Sequence, residues 1–238
     1  MQTTEFSTRV PQTIAIDGPA ASGKTTVGAE LANRLGYLCL DTGIMYRAIT
    51  WQALSEGLNP EDEAAISRLA ESIEIDVRPK SAEDGRAFDV LINHQDHTWD
   101  IRKPEVNQHV SLISSYPGVR SAMTLQQRKI AARGKIVMLG RDIGSVVLPD
   151  ADLKIYLDAS LKVRARRRYE EEKARGNVVT YQSVVASLRR RDKIDSSRKF
   201  APLKIADDAV VINTDALSAE QVVEKILALI SARESPGE

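Results

Sequence analysis

The chain is poor in several things that whole classes of protein require. It has one cysteine, Cys39, so an intrachain disulfide is excluded. Cys39 stands in the apolar run Tyr37-Leu38-Cys39-Leu40, where a small buried hydrophobe is expected. No stretch approaches the roughly eighteen apolar residues of a membrane helix, and no apolar segment follows a basic N-terminus. Neither membrane insertion nor a standard secretion signal is therefore expected, and the expected location is cytoplasmic. Lysine plus arginine and aspartate plus glutamate each number 33, so the chain carries no net charge to attract a polyanion. Aromatic residues make up 5 %, and none form a stacking platform beside the basic clusters, which argues against nucleic acid as a partner.

What remains is an ordinary globular composition, with 42 % hydrophobic and 28 % charged residues in 238. That length supports one core, with room for a small insertion. Short apolar runs rich in β-branched residues recur between helical patterns: Thr13–Asp17, Tyr37–Leu40, Lys135–Leu139, Leu153–Leu157 and Ala209–Ile212. None alternates cleanly, so all five are expected to be buried on both faces. That is the habit of a parallel sheet covered by helices. A helix over Thr25–Leu35 should stop at Gly36. The last helix should start after Ser218, with Gln221 completing a capping box, and Val222, Val223, Ile226, Leu227 and Ile230 on its inner face.

Two regions read differently. Residues 73–102 alternate apolar and polar over short spans around the turn-rich stretch Pro79 to Gly85, which predicts two or three antiparallel strands inserted into the core. Residues 164–198 are densely charged, which predicts a surface helical hairpin or lid. The expected organisation is a core of 13–72 and 103–233, the insertion at 73–102, the lid at about 164–198, and frayed ends at 1–12 and 234–238.

Gly18-Pro19-Ala20-Ala21-Ser22-Gly23-Lys24-Thr25, followed by Thr26, fits G-x-x-x-x-G-K-[ST] between a predicted strand and a predicted helix. The glycines let backbone N–H groups turn inward toward phosphate oxygens, and the new helix adds its positive end. Lys24 can reach the outer phosphates and the Thr25 hydroxyl can ligate Mg²⁺. The loop implies ATP binding but names no reaction.

Further along, Gly140-Arg141-Asp142-Ile143-Gly144 closes a buried strand, which is where open α/β sheets bind ligands; a plain Arg–Asp ion pair at a turn is the alternative. Arg191, Asp195 and Arg198 share one helical face. Such arginines suit phosphoryl transfer, whereas i,i+4 pairs on a solvated helix suit Glu170 to Lys173. Arg164, Arg166, Arg167 and Arg168 thicken the same region. His94, His97 and His109 lack nearby metal-ligand partners and are read as surface residues.

From about Thr13 to Ala232 the chain resembles the bacterial cytidylate kinases. The resemblance rests on the phosphate loop, then Leu40-Asp41-Thr42-Gly43-Ile44-Met45-Tyr46-Arg47, Tyr116-Pro117-Gly118-Val119-Arg120, Gly140-Arg141-Asp142-Ile143-Gly144-Ser145-Val146-Val147, and Arg191-Asp192-Lys193-Ile194-Asp195-Ser196-Ser197-Arg198, in that order. It implies a P-loop α/β fold: a doubly wound five-stranded parallel sheet, a small antiparallel insertion that binds the nucleoside monophosphate, and a helical lid. It implies transfer of the γ-phosphoryl of MgATP to CMP or dCMP. By resemblance Ser111, Arg120 and Asp142 read the cytosine edge, and Tyr46, Arg47 and Arg141 surround the acceptor phosphate. Asp41 belongs to the acceptor set and Asp195 bonds the sugar. Lys24, Arg141, Arg191 and Arg198 serve the transferred group, with Arg164 and Arg168 as weaker candidates. Leu139 departs from the pattern, since the family carries an aspartate before Gly-Arg-Asp. A kinase for UMP, AMP or shikimate, or an ATP-binding regulatory module, remains open at this point. A monomer is expected, because no apolar surface stripe is left over.

Overall fold

The computed structural model describes residues 10–197 and 201–234. The expected fraying of the termini falls mainly outside these residues. Within them, Gln12 is already tied to the sheet: its backbone N–H donates to Asp152 Oδ2 and its carbonyl accepts from Ile136 N–H.

Five strands, β1 (Thr13–Asp17), β2 (Leu38–Asp41), β6 (Ile136–Gly140), β7 (Leu153–Asp158) and β8 (Val210–Asn213), form a parallel sheet in the order β2-β6-β1-β7-β8. All five sit where the apolar runs predicted, within a residue at each end. Their lack of alternation has a direct cause. Ile14 and Ile16 of β1, with Val137 and Leu139 of β6, face a core layer closed by α1 (Lys24–Leu35) and α8 (Ala219–Glu234). Ala15, Ile136 and Met138 face the opposite layer. That layer is closed by α2 (Gly43–Ser55), α3 (Glu63–Ser72), α4 (Pro104–Ile113) and α5 (Pro117–Ala131). Both faces must be apolar, and each fully buried aliphatic side chain contributes about 1.5–3 kcal/mol. The edge strand is the exception to the expectation of two buried faces. In β8, which ends the strand order at one edge of the sheet, Val211 is half-exposed.

The caps follow the sequence. Gly36 takes a left-handed conformation (φ 69°) and ends α1. Ser218 and Gln221 exchange the reciprocal bonds of a capping box at the start of α8. A second, antiparallel sheet joins β3 (Ile75–Pro79), β4 (Phe88–Ile92) and β5 (Gln95–Asp96), packing Ile75, Val77, Val90 and Ile92 into the layer closed by α2 to α5. His94 is exposed, as expected. His97 is not a simple surface residue: its ring lies 4.0 Å from that of Trp51 and its Nδ1 lies 3.0 Å from Asp100 Oδ2.

The charged region forms a hairpin of α6 (Leu161–Ala174) and α7 (Tyr181–Ser197). It has a small core of its own, in which Ala165, Val184 and Leu188 meet Ala20 of the phosphate loop.

Candidate functional site

β1 lies mid-sheet, and its carboxyl end opens directly into the phosphate loop. Gly18 (φ 151°) must be glycine on two counts. Its backbone conformation is rarely open to other residues, and a Cβ there would stand 2.3 Å from the Leu157 carbonyl oxygen. Gly23 (φ 98°) turns the chain into α1. Lys24 is buried, and its ammonium donates to the carbonyls of Gly18 and Pro19 at 2.8 and 2.7 Å. Burial, followed by the charge of Arg141, holds its pKa well below the usual lysine value. Arg191 also acts on Lys24 in this sense, so cations from three segments converge on one spot.

Beside the loop, the Thr25 hydroxyl donates to Asp41 Oδ2 at 3.2 Å, while Asp41 Oδ1 accepts from Gly43 N–H. A hydroxyl and a carboxylate so placed are the hard oxygen donors that Mg²⁺ takes alongside water and phosphate. These residues fit that ion. Leu139 brings no donor. Its side chain is buried on the α1 side of the sheet, where a Cβ on Gly28 would stand only 2.5 Å from its Cδ2.

Across the cleft, Arg141 and Asp142 do not pair with each other as a simple turn would have them. Arg141 Nε donates to Asp195 Oδ2 at 3.0 Å. Asp142 Oδ2 instead accepts from Arg120 Nη2 at 2.7 Å, with both residues buried. The Arg120 guanidinium lies 5.6 Å from the Tyr46 ring centroid, and its Nε is buried without a hydrogen-bond partner. An orphaned buried donor of this kind is costly unless something pairs with it. Arg47 is held by the Ile101 carbonyl and Asn107.

These groups share one cleft of about 1250 Å³. The predicted residues lining it are Ala20 to Thr26, Asp41, Tyr46, Arg47, Ser111, Arg120, Arg141, Asp142, Arg191 and Asp195. Gly18 and Pro19, the first residues of the loop, are buried and do not line the cleft. Arg198 lies outside the described residues. Arg168 reaches the rim but is paired with Glu171 and Glu172. Arg164 is placed differently from its candidacy. It is buried in a two-point bond to Asp192, with further bonds to the carbonyls of Ala159 and Ala20, so it ties α6 to α7 and to the phosphate loop.

Several residues escaped the sequence reading. Asn107, Ser114, Thr214 and Leu217 line the cleft, and so does Arg167, which was named only as part of the charged region. Thr214 follows the last parallel strand, a position that the carboxyl-end rule for such sheets flags. The least expected is Asp17. Its carboxylate is buried and accepts from Ile143 N–H (2.8 Å) and Gly144 N–H (2.7 Å). Burial raises its pKa to about 6 against the opposing pull of those two N–H groups. A charged residue ending an otherwise apolar strand is the signal that could have marked it.

The family model described as Cytidylate kinase matches residues 14–232. The chain belongs to the cytidylate kinase family. The cytidylate kinase of Herpetosiphon aurantiacus is 47 % identical over 225 residues, covering 94 % of this chain and 96 % of that one. Those of Chloroflexus aggregans and Bacillus velezensis are 49 % and 46 % identical, covering 92 % of this chain and 94 % and 96 % of theirs. A crystal structure of an uncharacterized protein from Eubacterium ventriosum matches at TM-score 0.51 and 13 % identity, over 92 % of this chain and 98 % of that one. That likeness concerns the fold alone. Among the described residues no helix is long and apolar enough to cross a membrane.

Proposed function

We propose that this family member transfers the γ-phosphoryl group of MgATP to CMP or dCMP, giving ADP and CDP or dCDP. Family membership makes the chain a nucleotide kinase. The finer reading rests on one observation: the phosphate loop and the buried Arg120–Asp142 pair line the same cleft. One end suits a polyphosphate and the other offers a donor and an acceptor to a base edge.

In this reading the loop N–H groups hold the donor phosphates, and Lys24 leaves the Gly18 and Pro19 carbonyls to meet them. Thr25, with Asp41 close by, would hold Mg²⁺, which would supply neutralisation of phosphate charge. Arg141 and Arg191, joined by Arg198, offset the charge that spreads over the moving group. Tyr46 and Arg47 seat the acceptor phosphate, Ser111, Arg120 and Asp142 read cytosine, and Asp195 meets the sugar. No protein nucleophile is needed, because positioning and charge carry the reaction. Residues 73–102 belong to the acceptor-binding side, and the hairpin from 164 closes as a lid that excludes water. One chain supplies both sides of the cleft, which supports action as a monomer.

The test is ADP release from MgATP with CMP, dCMP, UMP and AMP offered separately. Acceleration by CMP and dCMP alone is expected. Acceleration by UMP or AMP instead would overturn the base assignment. Acceleration by none, with ATP still bound, would favour a regulatory ATP-binding module.

A further inference from the structure

The turn from Gly140 to Gly144 carries Arg141 and Asp142, yet its own backbone does not hold its start. Inside the wide turn Ile143–Val147, the N–H groups of Val146 and Val147 donate to the Asp142 carbonyl, and Leu148 N–H donates to the Ile143 carbonyl. The N–H groups of Ile143 and Gly144 point instead to Asp17, one to each carboxylate oxygen. Asp17 is the last residue of β1 and stands in register with Gly140 of β6 and Tyr156 of β7. Its own backbone continues into Gly18, whose carbonyl holds the Lys24 ammonium.

We propose that Asp17 is a positioning residue of the transfer reaction: it fixes the Gly140–Gly144 turn to the root of the phosphate loop and so sets where Arg141 and Asp142 stand relative to Lys24. The proposal rests on the reading of Arg141 as a group that meets the reacting phosphates.

Three features argue for it. The link is short, since one side chain bridges the donor loop and the acceptor turn. It suits a carboxylate, because each N–H group has its own oxygen, and an amide would turn one of those oxygens into an NH₂ donor facing an N–H. The turn also has little other freedom: a Cβ on Gly144 would stand 3.2 Å from Lys154 Cδ and 3.4 Å from Asp17 Oδ2, so it is wedged between these two side chains. Loss of the Asp17 anchor releases one side of that wedge and lets the turn drift toward the cleft.

The experiment is a double-mutant cycle of Asp17→Asn and Arg141→Ala, followed by steady-state kinetics with CMP and MgATP and by thermal unfolding. Asp17→Asn should lower kcat by about 10- to 100-fold, the effect of a misplacement near 1 Å. KM for MgATP should stay within about threefold, because the phosphate loop keeps its own bonds. In the Arg141→Ala background the further loss from Asp17→Asn should shrink to about threefold or less, since coupled residues are not additive. Losses that multiply in full would overturn the proposal and reduce Asp17 to a structural residue. Wild-type turnover in Arg141→Ala alone would overturn the role of Arg141, and the proposal with it. Should Asp17→Asn not fold, Asp17→Glu keeps both oxygens on a longer arm. The same coupling to Arg141 is then expected, and its absence would count equally against the proposal.

Discussion

Arg120 Nη2 lies 2.7 Å from Asp142 Oδ2, in a bond that crosses from α5 to the turn after β6 with both partners out of water. Breaking such a pair leaves one charge buried without its counter-ion. Asp142→Asn is therefore expected to lower the unfolding free energy by about 3 kcal/mol. It should also raise KM for CMP by about tenfold or more while KM for MgATP holds, since the pair serves one substrate. Urea unfolding and steady-state kinetics check the two halves. Equal damage to both KM values would remove the base-reading role.

Lys24 offers a cleaner separation of activity from stability. Its ammonium is buried on two carbonyls of its own loop, and its pKa is depressed chiefly by burial. Lys24→Ala removes a charge that the fold tolerates at a cost. Turnover should fall by about 100- to 1000-fold or more, as when a preorganised charge is lost from a reacting phosphate. The unfolding midpoint should hold or rise. A drop in both together would mean that the lysine holds the loop's shape.

The parallel sheet was legible because every one of its strands is buried on at least one face and the phosphate loop fixes where the first one ends. Edge position was not legible, which is why Val211 of β8 emerged half-exposed. The cleft residues were found where a motif carried them. Partner choice was another matter: Arg141–Asp142 reads as a pair on paper, whereas in space each finds a different partner, Asp195 and Arg120. Arg164 and Arg168 look alike in sequence. One turn of α6 separates them, yet one is buried against Asp192 and the other stays at the rim with Glu171. Such distinctions depend on long-range packing and have no local signature.

Leu139 and Gly28 form a second dependent pair. A Cβ on Gly28 would meet both methyls of Leu139, at 2.5 and 2.8 Å. In a free helix Gly→Ala gains about 1 kcal/mol. Here overpacking of about 1–3 kcal/mol opposes that gain, so Gly28→Ala should be net destabilising. In a Leu139→Ala background, itself about 2–5 kcal/mol less stable, the clash is gone. The same Gly28→Ala change should then stabilise. Unfolding of the four proteins reads the sign directly. A change of equal sign in both backgrounds would refute the contact.

Asp17 predicts how stability responds to acid. Its carboxyl titrates near 3.8 in the unfolded chain and near about 6 when folded, raised mainly by burial. Between those values the folded chain keeps a proton that the unfolded chain has lost. By linkage, unfolding free energy then falls as pH rises through that window, by at most about 1.4 kcal/mol per unit. Other carboxylates titrate there too, so the useful quantity is the difference between wild type and Asp17→Asn, which cannot ionise. The wild-type value relative to the variant should drop from about pH 4 to about pH 6 and level off above, as read by urea unfolding across the range. A difference that rises with pH would mean that the two N–H bonds outweigh burial and that the charged form is favoured in the folded chain.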